Sequence, residues 1–136
     1  MQNLAIEYLQ STKNKFPEKT AIVDEGQGIT FNQLWKNSLT LAYWINTEFQ
    51  ITNQPICVGL TKSIDAVIAL LAIQMSGNIY VPLDIETPLP RRNKILEALG
   101  SDRVIEHKAG KFNLAGKIFS STYEDLPQIE KQVLNE

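Results

Sequence analysis

The side chains able to move protons or attack carbonyls are few in this sequence, and most stand where turns and element ends are expected. The available close carboxylate pairs are Asp24-Glu25, Asp84 with Glu86, and Glu124-Asp125. General acid–base catalysis needs two acids held across a cleft, whereas adjacent acids in turns are ordinarily solvated or capping groups. A serine nucleophile on a strand-to-helix elbow reads G-x-S-x-G, and that pattern does not occur. His107 is the only histidine and Cys57 the only cysteine, so neither a zinc site nor an intrachain disulfide is expected. His107 reads as a surface loop residue and Cys57 as a buried strand residue. Gly26-x-Gly28 has neither the third glycine nor the lysine of a phosphate loop, and G-x-x-x-x-G-K-[ST] is absent. Arg91 and Arg92 form a basic pair at an expected helix start, a place that attracts anions. The competing reading is a solvated or ion-paired surface.

The elements that must position these residues follow from periodicity. Leu4, Ile6 and Leu9 predict a short opening helix that ends at Phe16-Pro17. Thr20 to Asp24, then Glu25-Gly26-Gln27-Gly28, then Ile29-Thr30-Phe31, read as strand, glycine turn and strand, hence a β-hairpin. Thr30 with Gln33 is a capping-box pattern. The helix it opens carries Leu34, Trp35, Ser38, Leu41, Ala42, Ile45 and Phe49 on one stripe, the spacing of a core face. Pro55 to Leu60 is apolar without alternation, as in a strand buried on both faces of a parallel sheet. Ser63 caps the next helix, Asp65 suits its dipole, and Ile64 to Met75 is apolar nearly all round until Gly77. A strand over 78–83, a helix over 88–99 with Thr87 as its cap, strands near 103–106 and 117–119, and a last helix over 125–134 complete the pattern. The stretch 107–116 reads as loop. Strands alternating with helices imply crossover units and an α/β fold with a mainly parallel sheet.

Composition narrows the functional classes. The chain has 136 residues, 43% of them hydrophobic and 21% charged, which predicts one compact unit spanning 1–136. A formal net charge of −2 provides no basic field for a phosphate backbone, so nucleic acid is not an expected partner. The apolar helix over 64–75 is too short for a bilayer, which needs about 20 residues, so no membrane association is expected. The start lacks a basic region followed by an apolar run. A cytoplasmic location is the expectation.

Three stretches, in order, resemble the N-terminal part of the adenylate-forming (AMP-binding) enzyme superfamily. Phe16-Pro17-Glu18-Lys19-Thr20-Ala21-Ile22 is similar to that family's P-x-x-x-A-(I/V), and Ile29-Thr30-Phe31-Asn32-Gln33-Leu34 to its L-T-Y-x-E-L. The most specific runs from Ala69 to Asp84 and resembles A-x-L-A-I-L-K-A-G-x-x-Y-V-P-L-D, followed by Pro88-Leu89-Pro90-Arg91 for P-x-x-R. The nearest likeness is to amino-acid adenylation domains of nonribosomal peptide synthetases and to D-alanine carrier-protein ligases. Departures are Met75-Ser76 for Lys-Ala, Ile85 for proline, and Arg92 for leucine.

The resemblance implies the N-terminal part of a large α/β domain with an early β-hairpin, belonging to a ligase that activates an amino or acyl acid with ATP. The acyl-adenylate then passes to a thiol such as a carrier-protein phosphopantetheine. It also implies that the ATP loop, the ribose and magnesium contacts, the acid pocket and the mobile lysine lie in motifs not found before Glu136. No catalytic residue, metal ligand or cofactor is therefore expected in this chain, while the complete enzyme needs ATP and magnesium. Arg91 and Arg92 are the candidate site residues, for the phosphates of the acceptor-thiol cofactor. The expected partner is the missing C-terminal portion or a second chain supplying it, with self-association through apolar surface on the helix over 64–75 and through an unpaired edge near Ile118-Phe119. A carrier protein is a further partner of the parent enzyme. A half of a split enzyme, a non-catalytic binding or scaffold module, and an unrelated flavodoxin-like domain are the alternative readings.

Overall fold

A computed structural model of the chain describes residues 4–59, 63–83, 88–99, 104–108, 111–114 and 117–119. Helix α1 (Leu4–Lys15) buries Ile6 and Leu9, one turn apart on its inner side. The hairpin β1 (Thr20–Asp24) and β2 (Gln27–Thr30) is antiparallel and closes through Glu25 at φ 50° and Gly26 at φ 79°. Two positive φ angles in a two-residue loop make a turn whose twist matches that of the strands. Gly26 is therefore a turn residue, and Gly28 belongs to β2, paired with Val23. Register slips by one residue between Thr20 and Ile22, which is a β-bulge at Ala21.

Helix α2 (Phe31–Phe49) starts on the capping box that its sequence predicts. The Thr30 hydroxyl accepts from the Gln33 backbone N–H at 3.1 Å, and the Gln33 side chain accepts from the Thr30 N–H at 3.0 Å. Phe31, expected as strand, is the first helical residue, because the cap at Thr30 ends β2. Leu34, Trp35, Ser38, Leu41, Ala42 and Ile45 are buried as the stripe predicts, and so are Leu39 and Thr40 outside it. Helix α2 packs between α1 and α3, so burial spreads past a single face. Helix α3 (Ile64–Met75) opens on Ser63, whose Oγ accepts from the Ala66 N–H at 3.2 Å. It ends in a Schellman motif: Asn78 N–H donates to Ile73 O, Gly77 N–H to Gln74 O, and Gly77 sits at φ 81°.

Strands β3 (Pro55–Val58), β4 (Ile79–Pro82), β5 (Val104–Lys108), β6 (Lys111–Leu114) and β7 (Lys117–Phe119) form one sheet in the order β4-β3-β5-β6-β7. β3 is parallel to both β4 and β5, while β5-β6 and β6-β7 are antiparallel. β3 is central and buried on both faces, with Ile56 and Cys57 at 0% exposure and Val58 at 1%. Helix α4 (Leu89–Leu99) precedes β5. The expected loop over 107–116 is corrected: His107 and Lys108 belong to β5 and 111–114 to β6, paired as His107↔Phe112 and Lys108↔Lys111. β6 does alternate, as Lys111-Phe112-Asn113-Leu114, but four residues are too short a run to stand out beside the polar end of β5, Glu106-His107-Lys108. The cap Thr87 and the helix over 125–134 lie outside the described residues.

Side-chain alternation assigns the two faces of the sheet. Ile56, Val58, Ile105 and Leu114 join the residues of α1, α2 and α3 in one core. Cys57 and Glu106, each adjacent to one of these in sequence, project to the other face. Among the described residues the expected bare face on α3 is largely closed, with Leu70 half-buried outside the core. Ile68, Ala69, Ala72, Ile73 and Met75 are buried, and Ile64, Val67 and Leu71 pack against the same core. The large exposed apolar side chains among the described residues are instead Tyr8, Phe16, Val23, Ile79 and Leu89.

Candidate functional site

Of the two arginines singled out by their place at a helix start, one has an acidic partner among the described residues and the other is exposed. α4 begins where the Pro88 carbonyl accepts the Arg92 N–H at 2.9 Å. Arg91 is exposed on its first turn. Arg92 turns toward the sheet, and its Nη2 donates to Glu106 Oε1 at 2.8 Å, with the two side chains 18% and 33% exposed. A charge-assisted bond of this length between half-buried groups gives the guanidinium a counter-charge and occupies one of its five N–H donors. The strand order reverses direction around β3, because the chain goes to β4 on one side and returns to β5 on the other. In open α/β sheets ligands bind beyond the carboxyl ends of the strands at such a reversal. The Arg92–Glu106 pair lies beside this reversal on one face of the sheet, with Glu106 the middle residue of β5.

Cys57 lies on the same face. Burial raises its thiol pKa above the ordinary value, and the positive charge of Arg92 offsets part of that rise. A buried, protonated thiol is a weak nucleophile. Sequence reasoning missed Glu106, because no periodicity relates an arginine to an acid 14 residues on. The substitution of Arg92 for an apolar residue was the one signal, since a half-buried cation needs a partner.

Of the candidate acids, only Asp24 and Glu25 lie within the described residues. They line an open cleft of about 220 Å³ together with Gln27, Ser63, Ile64 and Asp65, where the hairpin tip meets the start of α3. Three carboxylates around one cleft repel a triphosphate, so these residues do not fit ATP. No group of three or more His, Cys, Asp or Glu able to hold a metal ion occurs among the described residues. His107 lies in strand β5 and not in a loop.

The three family-like stretches map onto continuous structure: the entry to β1, the β2–α2 cap, and the α3–β4 unit. A family model described as AMP-binding enzyme matches residues 9–132. The chain belongs to the AMP-binding enzyme family. Among its curated relatives is the D-alanine–D-alanyl carrier protein ligase of Bacillus cytotoxicus, 31% identical over 96 residues, which are 71% of this chain and 19% of the ligase. The ligase of the same name from Bacillus cereus is 29% identical over 104 residues, 76% of this chain and 21% of its own. The chain thus spans about a fifth of the length of the curated relatives it matches. The fold is shared with the N-terminal subdomain of Klebsiella oxytoca NpsA, at TM-score 0.69 and 18% identity over 96% of this chain and 31% of that one. The nonribosomal peptide synthetase FmoA3 gives TM-score 0.73 and 21% identity over 78% of this chain and 12% of its own. The chain is thus an N-terminal segment of an adenylate-forming enzyme fold. No described helix is long and apolar enough to cross a membrane.

Proposed function

We propose that this segment is the scaffold end of an adenylate-forming ligase and performs no adenylation by itself. The parent reaction joins a carboxylate to the α-phosphate of ATP, releasing pyrophosphate. A thiol then displaces AMP from the acyl-adenylate to give a thioester. The observation that carries this reading is the family match over residues 9–132, supported by the carrier-protein ligases among the relatives. Those carrier-protein ligases favour a carrier-bound thiol over a free one. ATP and magnesium belong to residues beyond this segment in that reading. A charge clamp is what stabilises the transition state of such a displacement, and the described cleft carries the opposite sign. The partner is the remainder of the ligase, in the same chain or a second one, and the setting is cytoplasmic. Arg91 is the residue that faces the acceptor's phosphates, since Arg92 is engaged by Glu106.

ATP–pyrophosphate exchange tests the proposal. The 136-residue chain should give none with any amino or acyl acid, and exchange should appear when the remainder of a family member is supplied. In that complemented enzyme Arg91→Ala should raise KM for the thiol acceptor while exchange stays unchanged. Exchange above background by the chain alone would refute the scaffold reading.

A further inference from the structure

The two faces of the central sheet are closed in different ways. Helices α1, α2 and α3 each contribute buried side chains to a shared core on one face. On the other face, α4 is tied down by Arg92. No described side chain of α4 is buried: Arg92, Ile95 and Leu96 are half-buried, and those from Leu89 to Arg91, with Asn93, Lys94, Glu97 and Ala98, are exposed. Its one polar tie to the sheet among the described residues is the 2.8 Å Arg92–Glu106 bond. Elements with little buried apolar surface open at a small fraction of the global unfolding free energy. We propose that α4 is a cover over the second face of the sheet, latched by the Arg92–Glu106 ion pair and able to open while the core stays folded.

Cys57 reports on this motion. It is at 0% exposure, projects to the face on which Arg92 of α4 lies, and is the chain's only cysteine. Arg92 is close enough for its charge to act on the thiol. When α4 lifts, the thiol meets solvent. When α4 is down, no reagent reaches it.

The experiment follows modification of Cys57 by 5,5′-dithiobis(2-nitrobenzoate) at fixed pH, with increasing urea below the unfolding transition. The expected rate has a urea dependence much shallower than that of global unfolding, because opening one helix exposes little surface. Glu106→Gln removes the latch and should accelerate labelling about fivefold. Added salt at 1 M should also accelerate labelling of the unmodified chain, by screening the pair. Glu97→Gln makes the same charge change on the exposed side of α4 and should leave the rate unaltered. If Glu106→Gln folds poorly, Arg92→Lys, which keeps the charge but loses the fork, should give an intermediate rate with the core intact. Labelling that follows the slope of global unfolding, at a rate indifferent to these latch variants, would overturn the proposal.

Discussion

Asn78 holds the end of α3, the loop before β3 and the start of β4 in one place, and its removal should cost more than any surface residue of its size. Its Oδ1 accepts from the Gln54 N–H at 3.1 Å; its Nδ2 donates to Ile51 O at 3.2 Å and to Ser76 Oγ at 3.0 Å. Asn78 is only 8% exposed and Ser76 5%, so water does not readily replace the amide. At roughly 1 kcal/mol net per bond the three sum to about 3 kcal/mol. Gln54 itself is exposed and its N–H regains some hydration, which brings Asn78→Ala to about 2–3 kcal/mol. With a urea slope of about 1.5 kcal/mol/M, the unfolding midpoint should fall by roughly 1.5–2 M. Asn78→Asp keeps an acceptor for Gln54 but turns a carboxylate oxygen on the Ile51 carbonyl, so near neutral pH it should be at least as damaging. Asn93→Ala, on the exposed side of α4, should shift stability by less than about 0.5 kcal/mol. A loss of that small size for Asn78→Ala would show that backbone pairing alone sets the β3–β4 register and that the amide network is incidental.

Ser38 is at 0% exposure and its hydroxyl has no hydrogen-bond partner among the described residues. Ser38→Ala removes a stranded polar group and adds helix propensity, so stability should stay level or rise by up to about 1 kcal/mol in urea unfolding. A clear loss would reveal a partner for the hydroxyl. The pH response of Cys57 has a definite sign. Its folded pKa is raised by burial, so the neutral thiol is favoured in the folded state. That contribution is complete below the ordinary thiol pKa and lost as pH climbs through it toward the folded value. Unfolding midpoints should therefore fall more steeply above about pH 8.5 in the parent chain than in Cys57→Ala; parallel curves would remove the linkage.

How much was legible in the sequence depends on whether a residue's role is local. The capping box, the Ser63 cap and the apolar run of β3 are set by neighbours three or four positions away, and all appear as read. Burial of Leu39 and Thr40 was not legible, because it follows from α2 being gripped by α1 and α3 together. A single-face stripe assumes one neighbour. Asn78 reads as an ordinary residue after a helix-ending glycine, and its bonds reach back 24 and 27 positions. Arg92 was legible as a cation at a helix start and illegible as half of an ion pair, since Glu106 reaches it only when β5 is laid beside β3. The motif order identified the family because motifs are local. The pairing of Arg92 with Glu106 is not.

The sheet edges extend the same reasoning to association. Ile79 donates its N–H to Gln54 O just before β3, and Leu83, just past β4, donates to Val58 O, so the outward-facing backbone positions of β4 are Tyr80 and Pro82. Proline has no N–H, leaving one donor and two carbonyls on that edge, which blunts it against another strand. β7 has a single described neighbour, β6, and is the edge more open to pairing.

Catalytic power also needs enclosure. Enzymes of this class must supply at least about 8 kcal/mol of barrier reduction, whereas an exposed cation 4 Å from a phosphate contributes about 1 kcal/mol in water. Arg91 and Lys94 are exposed, and Arg92 is already neutralised by Glu106. Under the function proposed above, the cations of α4 count for the reaction only in a site closed from water, where the same charges act through a lower dielectric.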